Sequence, residues 1–363
     1  MMTFESLVIA AIAVVVFSLS LWLTSRLSSP EARVRLLDHP NQRSLHATPI
    51  PRTGGLAILG GLTVGLVLEF SRTFLTGSPS VFQSGYSRWI PAMLVLIVIV
   101  SLWDDWVELP SGLRLVVHTV AATGVVVGAH LLIAEIEIPR LLVINPGWLA
   151  VPLTIICLIW MINLYNFMDG MDGFAGGMTI MGFGFLCLLA LLKGETYIAV
   201  LSLLTMAATG GFLIYNRPPA KIFMGDVGST LLGFLAGTLS ILAIQRGLCD
   251  FWVPLLIFSP FIVDATTTLL RRLLRGEKIW QAHRQHYYQR LVLLGWSTQK
   301  TVLVEYCLML ACGLSALLYT RIGAYERLML LIAWLLIYIT LGFCVGVAER
   351  RSHAEPHLSV NDG

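Results

Sequence analysis

The sequence predicts an all-α integral membrane protein, a polytopic bundle of about eleven transmembrane helices, and three observations carry that expectation. Of the 363 residues, 56% are hydrophobic and only 12% are charged, against about 25% charged in an ordinary soluble domain. The mean hydropathy is +0.80. Apolar runs approaching the roughly 20 residues a helix needs to cross a bilayer recur along the whole chain. Length alone would suit one large or two ordinary soluble domains, but no polar stretch is long enough to fold by itself.

The runs fall at 7–25, 54–70, 89–103, 113–134, 148–167, 173–192, 196–215, 223–244, 251–270, 301–319 and 326–347. Several are short, 89–103 above all. Glycine pairs inside them, such as Gly54-Gly55 and Gly176-Gly177, suit close helix packing in lipid. Residues 1–348 therefore read as a single polytopic domain, and 349–363 as a short polar tail. The first run lacks a basic leader and a small-residue cleavage site, so it reads as a retained span. The six cysteines show no C-x-x-C spacing and read as small apolar fillers.

Seventeen of the 24 Lys and Arg residues fall in odd-numbered connections and the tail, and seven in the even-numbered ones. By the positive-inside rule the first set is cytoplasmic, the N-terminus periplasmic and the C-terminus cytoplasmic. The net charge of +3 is too small to suggest a nucleic-acid partner.

Five polar clusters interrupt the apolar pattern. The first is DHPNQRSLHATPIPRTGG at 38–55, where Arg43, His46 and Arg52 offer anion contacts or simply obey the charge rule. The second is Trp103-Asp104-Asp105-Trp106. Paired carboxylates are expensive within a bilayer and cheaper at its interface, so they mark an interfacial acidic end, a magnesium site or a general base. The third is NLYNFMDGMDGFAGG at 163–177, where Asn163, Asn166 and Asp169 recur on one helix face before a glycine-rich stretch. The fourth is FMGDVGS at 223–229. There Asp226 opens a helix, either as an N-terminal cap or as a carboxylate bridged to phosphate by a metal. The fifth is RRLLRGEKIWQAHRQHYYQRLVLLGWS at 271–297, basic and aromatic, suiting a phosphate or an amphipathic segment on the membrane surface. Asp264, an intramembrane acid nearby, is a functional candidate or an ion-pair partner of Arg271 or Arg272. All five clusters belong to odd-numbered connections, so any consistent eleven-span threading gathers them on one face. Carboxylates, glycines and basic groups converging there describe a site for an anionic substrate with a metal.

These motifs in this order resemble the polyprenyl-phosphate N-acetylhexosamine-1-phosphate transferases, relatives of phospho-N-acetylmuramoyl-pentapeptide transferase. The resemblance runs from about Asp38 to Ser297 and rests on DDW, NLYNFMDGMDG, FMGDVGS and the His283-Arg284-Gln285-His286 loop. It implies transfer of an N-acetylhexosamine-1-phosphate from a UDP-sugar to undecaprenyl phosphate, with release of UMP, at the cytoplasmic face of a bacterial inner membrane. It also implies that Asp226 is the ligand of a magnesium ion, for which manganese can substitute. Asp104 and Asp105 would lie near the metal and the lipid phosphate, and Asn163, Asn166 and Asp169 in the catalytic cluster. Met171 and Asp172 would hold the uracil, with Phe223 stacking nearby. Arg114, His46, Arg52, Asp264, His283, His286 and Tyr288 complete the expected substrate contacts. A homodimer stays open.

The sequence departs from the pentapeptide enzymes in lacking their histidine triplet, having only His283 and His286, and in showing His46 and Arg52 before the second span instead of a lysine-led pattern. Those departures resemble the branch that starts O-antigen or related polysaccharides. The donor is left between N-acetylglucosamine and a 6-deoxy sugar, N-acetylfucosamine or N-acetylquinovosamine. An intramembrane aromatic prenyltransferase would need two Asp-rich repeats, and a secondary transporter internal repeats with polar breaks at the midplane. Neither pattern is present.

Overall fold

A computed structural model describes residues 4–32, 34, 36–40, 48–77, 86–278 and 283–354. It is helical almost throughout. In chain order the helices are α1 (Phe4–Leu27), α2 (Gly54–Thr76), α3 (Tyr86–Val107), α4 (Ser111–Thr123), α5 (Ala150–Met168), α6 (Phe174–Lys193), α7 (Thr196–Asn216), α8 (Gly225–Gln245), α9 (Trp252–Ile257), α10 (Ser259–Leu274), α11 (Tyr287–Leu293), α12 (Thr298–Tyr319) and α13 (Ala324–Ala354). A π-helical turn, Gly124–Gly128, extends α4. Among the described residues ten helices are long and apolar enough to cross a membrane, so the chain is a multi-pass membrane protein.

The expected span 251–270 is two helices, α9 and α10, broken at Phe258. Pro260 stands in the first turn of α10, where a residue without an N–H starts a helix readily but cannot continue one. The Ser259 hydroxyl donates to Leu256 O across the break. Four other spans differ from expectation: α2 runs on to Thr76, and the fourth span ends early at Gly128. The third is longer, and α3 carries Asp104 and Asp105 in its last turns. The last helix continues past Glu349 to Ala354.

Around α8, buried over nearly its whole length, pack α2, α3 and α5. Small residues allow this: a Cβ on Gly55 of α2 would collide with the backbone of Gly228 of α8. Without water in the bilayer core, such close packing is a main source of helix association. By contrast α13 turns Leu335, Ile339 and Phe343 outward, as lipid-facing spans do.

The two ends of the bundle are distinct. At one end a two-stranded ribbon, β1 (Leu37–Asp38) with β2 (Ile50–Pro51), adjoins the starts of α2 and α8. At the other end stands the hairpin of β3 (Ile136–Ile138) and β4 (Leu142–Ile144). There Gln245 Nε2 donates to His130 O, Trp252 Nε1 donates to Glu137 O, and Arg327 lies 3.9 Å from Asp250. Even-numbered connections thus meet at one end and odd-numbered ones at the other.

Candidate active site

The site grows from the start of α8. Residues 51–55 and 223–224 are stitched backbone to backbone: Phe223 N donates to Pro51 O, Gly54 N to Phe223 O and Gly55 N to Met224 O, at 2.7, 2.9 and 2.7 Å. Gly225 follows in the left-handed region at φ 71°, and a Cβ there would strike Arg52 O. Only glycine suits both demands. The first turn of a helix leaves its N–H groups unpaired, and here the cap is remote. The carboxylate of Asp105, from the end of α3, accepts from Asp226 N at 3.2 Å and Val227 N at 3.3 Å. Arg52 Nη2 in turn donates to Asp105 O at 2.7 Å. Asp105 is therefore the cap, and the side chain of Asp226 is left for other partners.

Those partners come from two other connections. Asn166 of α5 donates through Nδ2 to Asp226 Oδ1 at 2.6 Å and to Ser229 Oγ at 3.1 Å. Arg114 of α4 places Nη1 3.6 Å from Asp226 Oδ2 and 3.1 Å from Asp104 Oδ2. The other oxygen of Asp104 accepts from Leu109 N at 2.7 Å, which closes the turn between α3 and α4. Asp104 and Asp105 are 5% and 4% exposed. With its oxygens taken, Asp104 holds Arg114. Asn163, one turn before Asn166, donates to Ile159 O and lies 3.3 Å from His118 Nδ1.

Beyond the end of α5 the chain is pinned from several sides. Burial, and then the charges of Asp226, Asp105 and Asp172, hold the carboxyl of Asp169 well above the usual carboxylate range. Met171 is buried. Asp172 Oδ2 accepts from Ala220 N at 2.9 Å. Gly173 N donates to Asn216 Oδ1 at 2.9 Å, while Asn216 Nδ2 donates to Ile222 O. Tyr306 of α12 donates its hydroxyl to Gly173 O at 2.6 Å. Thus the segments holding Asp172 and Phe223 are locked to each other. Among the described residues no three His, Cys, Asp or Glu side chains form a ready cage for a metal. Asp226 nonetheless offers hard oxygens of the kind magnesium shares with substrate phosphates.

The loop before α11 forms a second group. Asp264 of α10 accepts from Tyr287 N at 3.0 Å, Tyr288 N at 3.3 Å and Thr268 Oγ1 at 3.1 Å, and lies 3.1 Å from His286 Nδ1. The alternative of an ion pair with Arg271 or Arg272 is not adopted. Arg271 donates to the Tyr287 hydroxyl, and Arg272 to Glu277 and Lys278 O. Asp264 thus clamps the start of α11. The rings of His283 and His286 lie 4.9 Å apart. Burial first, and then neighbouring His286, lowers the imidazole of His283 to about 4, so it is neutral at pH 7. Arg290 is paired with Glu349 through Nε and Nη2, each at 2.5 Å, which ties the last helix to this loop.

The structure brings together Arg52, Asp104, Asp105, Arg114, Asn166, Asp169 and Asp226, and places Asn163, Met171, Asp172 and Phe223 on the adjoining segments. His46 lies outside the described residues. Tyr288 requires a correction: it is 0% exposed, its ring lies 4.8 Å from Phe174, and its hydroxyl lies 3.4 Å from Phe167 O. It braces the loop against α5 and α6 and presents no surface to a substrate. Sequence reasoning passes over His118, Asn216, Ser229 and Tyr306. Of these, only His118 carries a signal, four residues after Arg114 and hence on the same helix face.

Residues 88–244 match glycosyl transferase family 4. The chain is 31% identical over 290 residues to a Bacillus subtilis protein named probable undecaprenyl-phosphate N-acetylglucosaminyl 1-phosphate transferase, covering 78% of this chain and 77% of that one. The chain belongs to the polyprenyl-phosphate N-acetylhexosamine-1-phosphate transferase family. It is also 26% identical over 340 residues to the undecaprenyl-phosphate alpha-N-acetylglucosaminyl 1-phosphate transferase of Yersinia pestis, covering 88% and 86% of the two chains. To the phospho-N-acetylmuramoyl-pentapeptide-transferase of Halalkalibacterium halodurans it is 28% identical over 270 residues, covering 69% and 79%. As a family member it is a transferase of the membrane. The glycosyl transferase family 4 match takes in both carboxylates of α3, the Asn-rich end of α5 and the start of α8.

Proposed function

We propose that this enzyme transfers N-acetylhexosamine-1-phosphate from a UDP-sugar to undecaprenyl phosphate, releasing UMP, at the cytoplasmic face of a bacterial inner membrane, and so begins an O-antigen or related polysaccharide. The observation that carries this reading is the convergence of Asn166, Arg114 and Asp104 on Asp226 at the capped start of α8. A phosphate monoester has a second pKa near 6, so the lipid phosphate is already a charged nucleophile at neutral pH. Positioning and charge neutralisation then dominate such a displacement. Arg114 faces the charge that develops between donor and acceptor. Asn166 fixes the orientation of the Asp226 carboxylate. When bound at Asp226, magnesium or manganese would screen the pyrophosphate and stabilise departing UMP. Asp104 is engaged by Leu109 N and Arg114, which favours direct attack by the lipid phosphate over a covalent aspartyl intermediate.

N-acetylglucosamine is the donor we favour, because two of the relatives carry it in their names. The HRQHYYQRL loop keeps N-acetylfucosamine and N-acetylquinovosamine as the alternatives. Purified protein given a panel of UDP-N-acetyl sugars is expected to release UMP only when undecaprenyl phosphate is added. Without lipid, labelled UMP should not exchange into the donor. Lipid-independent UMP release or exchange would overturn direct transfer, and silence with every donor would overturn the reaction itself.

The orientation is proposed from the charge asymmetry. With the six native cysteines replaced, a cysteine at Arg275 should react with an impermeant thiol reagent only from the cytoplasmic side, and one at Leu141 only from outside. The opposite pattern would invert the assignment of the active face.

A further inference from the structure

One helical turn deeper than Arg114 and Asn166, away from the connections of the active face, lie His118 and Asn163. His118 follows Arg114 by four residues on α4, which places the two on one face, roughly 5.4 Å apart along the axis. Leu115, Val116 and Val120 of the same helix are exposed, while His118 is buried with Ala121 and Ala122, so that face looks into the bundle. Asn163 stands at the matching depth on α5, one turn before Asn166. Ionisable side chains inside membrane-spanning helices are rare and mark functional positions. The reaction proposed above gives His118 no part.

The hydrogen bonds fix the state of its ring. Asn163 Nδ2 donates to Ile159 O at 2.7 Å, which sets the orientation of that amide. The same nitrogen lies 3.3 Å from His118 Nδ1, and a ring nitrogen accepts an amide N–H only when it carries no proton itself. His118 is then the neutral tautomer with its proton on Nε2. That N–H has no partner among the described residues, although the residue is only 6% exposed. A buried donor left unpaired costs about 1–3 kcal/mol, so it calls for an acceptor. The charges that act on the ring are those of Arg114 and Asp226, the two groups placed to meet substrate phosphates. A histidine that served only to hold Asn163 would need Nδ1 and nothing more.

We propose that His118 is a further substrate contact: its Nε2–H donates, from the floor of the site, to a phosphate oxygen held beside Arg114 and Asp226. This rests on the reaction proposed above and extends its machinery by one residue. A neutral N–H adds no charge, so Arg114 supplies the attraction and His118 the direction. The donor's pyrophosphate and the acceptor's phosphate offer the same oxygen chemistry, and ligand binding separates them.

Two measurements test it. A glutamine amide reaches the place of Nε2, and an asparagine amide that of Nδ1, so the two substitutions divide the ring's functions between them. His118→Phe removes both nitrogens and should lower kcat about 100-fold, the loss expected for one donor aimed at developing negative charge. His118→Gln should regain at least about tenfold of that loss, and His118→Asn should stay as slow as His118→Phe. Thermal unfolding shows whether each variant is folded. Recovery by His118→Asn equal to or above that of His118→Gln, or near-normal kcat in all three folded variants, would make His118 a support for Asn163 alone and overturn the assignment. The second measurement needs no turnover. With the histidine nitrogens isotope-labelled, the magnetic resonance signal missing from His118→Gln belongs to His118. It should report a proton on Nε2. It should move when UDP-N-acetylglucosamine or undecaprenyl phosphate is added, whichever carries the contacted phosphate, and stay unchanged with uridine. A proton on Nδ1, or a signal indifferent to both substrates, would remove the contact. If the signal moves while wild-type protein releases no UMP from any donor, the reaction is wrong and the phosphate contact stands.

Discussion

Asp226→Asn is expected to lower kcat/KM by at least about a thousandfold, roughly 4 kcal/mol of transition-state stabilisation, with the fold unchanged. The first half of that expectation follows from charge. The substitution keeps the shape and keeps an oxygen to accept from Asn166, now 2.6 Å away, but removes the anion that faces Arg114 at 3.6 Å and that a divalent cation would need. The second half follows from the capping geometry. The N–H groups of residues 226 and 227 are satisfied by Asp105, so α8 does not depend on the Asp226 side chain for its start. UMP release and thermal unfolding, measured on the same preparation, separate the two. Near-normal turnover by a folded Asp226→Asn protein would remove Asp226 from the chemistry. An unfolded one would mean that the helix start depends on it after all.

The gathering of the active face is legible in the amino-acid sequence, because parity alone places odd-numbered connections together. The stitching of residues 51–55 to 223–224 and the ion pairs among Asp104, Arg114 and Asp226 realise that expectation. The long-range partners are not legible. Asp105 and α8 are separated by over a hundred residues, and nothing in DDW says that one carboxylate caps a distant helix while its neighbour holds an arginine. Tyr288 misleads for a related reason. Aromatic residues in a basic loop read as contact surface, but side-chain direction there is set by Asp264 clamping the start of α11. The break in the ninth span is visible as Pro260 but is outweighed by the surrounding hydropathy. Glu349 reads as tail, yet it ends in a charged pair with Arg290. His118 follows Arg114 by four residues on the same helix face, but nothing in the sequence connects it to Asn163, which it approaches at 3.3 Å.

Arg114 should have the next largest effect. Its Nη1 spans two carboxylates, 3.1 Å from Asp104 and 3.6 Å from Asp226, while the side chain remains 38% exposed. A structural arginine would be sealed in. One that keeps an open side next to Asp226 can also face the phosphates that arrive there. Removing a charged donor aimed at developing negative charge costs about 100–1,000-fold in kcat, so Arg114→Gln should lose about that much. Its main loss should be in kcat and not in KM, because the charge on departing UMP grows as the anhydride bond breaks. Arg114→Lys keeps a charge but offers a single point instead of a planar fork, and it cannot serve Asp104 and a phosphate at once with the same geometry. It should therefore recover only part of the rate. Because Asp104 is placed to hold Arg114, Asp104→Asn should weaken the enzyme less than Arg114→Gln, and the double variant should be little worse than Arg114→Gln alone. If the two losses multiplied instead, Asp104 would act independently of Arg114, and its reading as the residue that merely holds the arginine would be wrong.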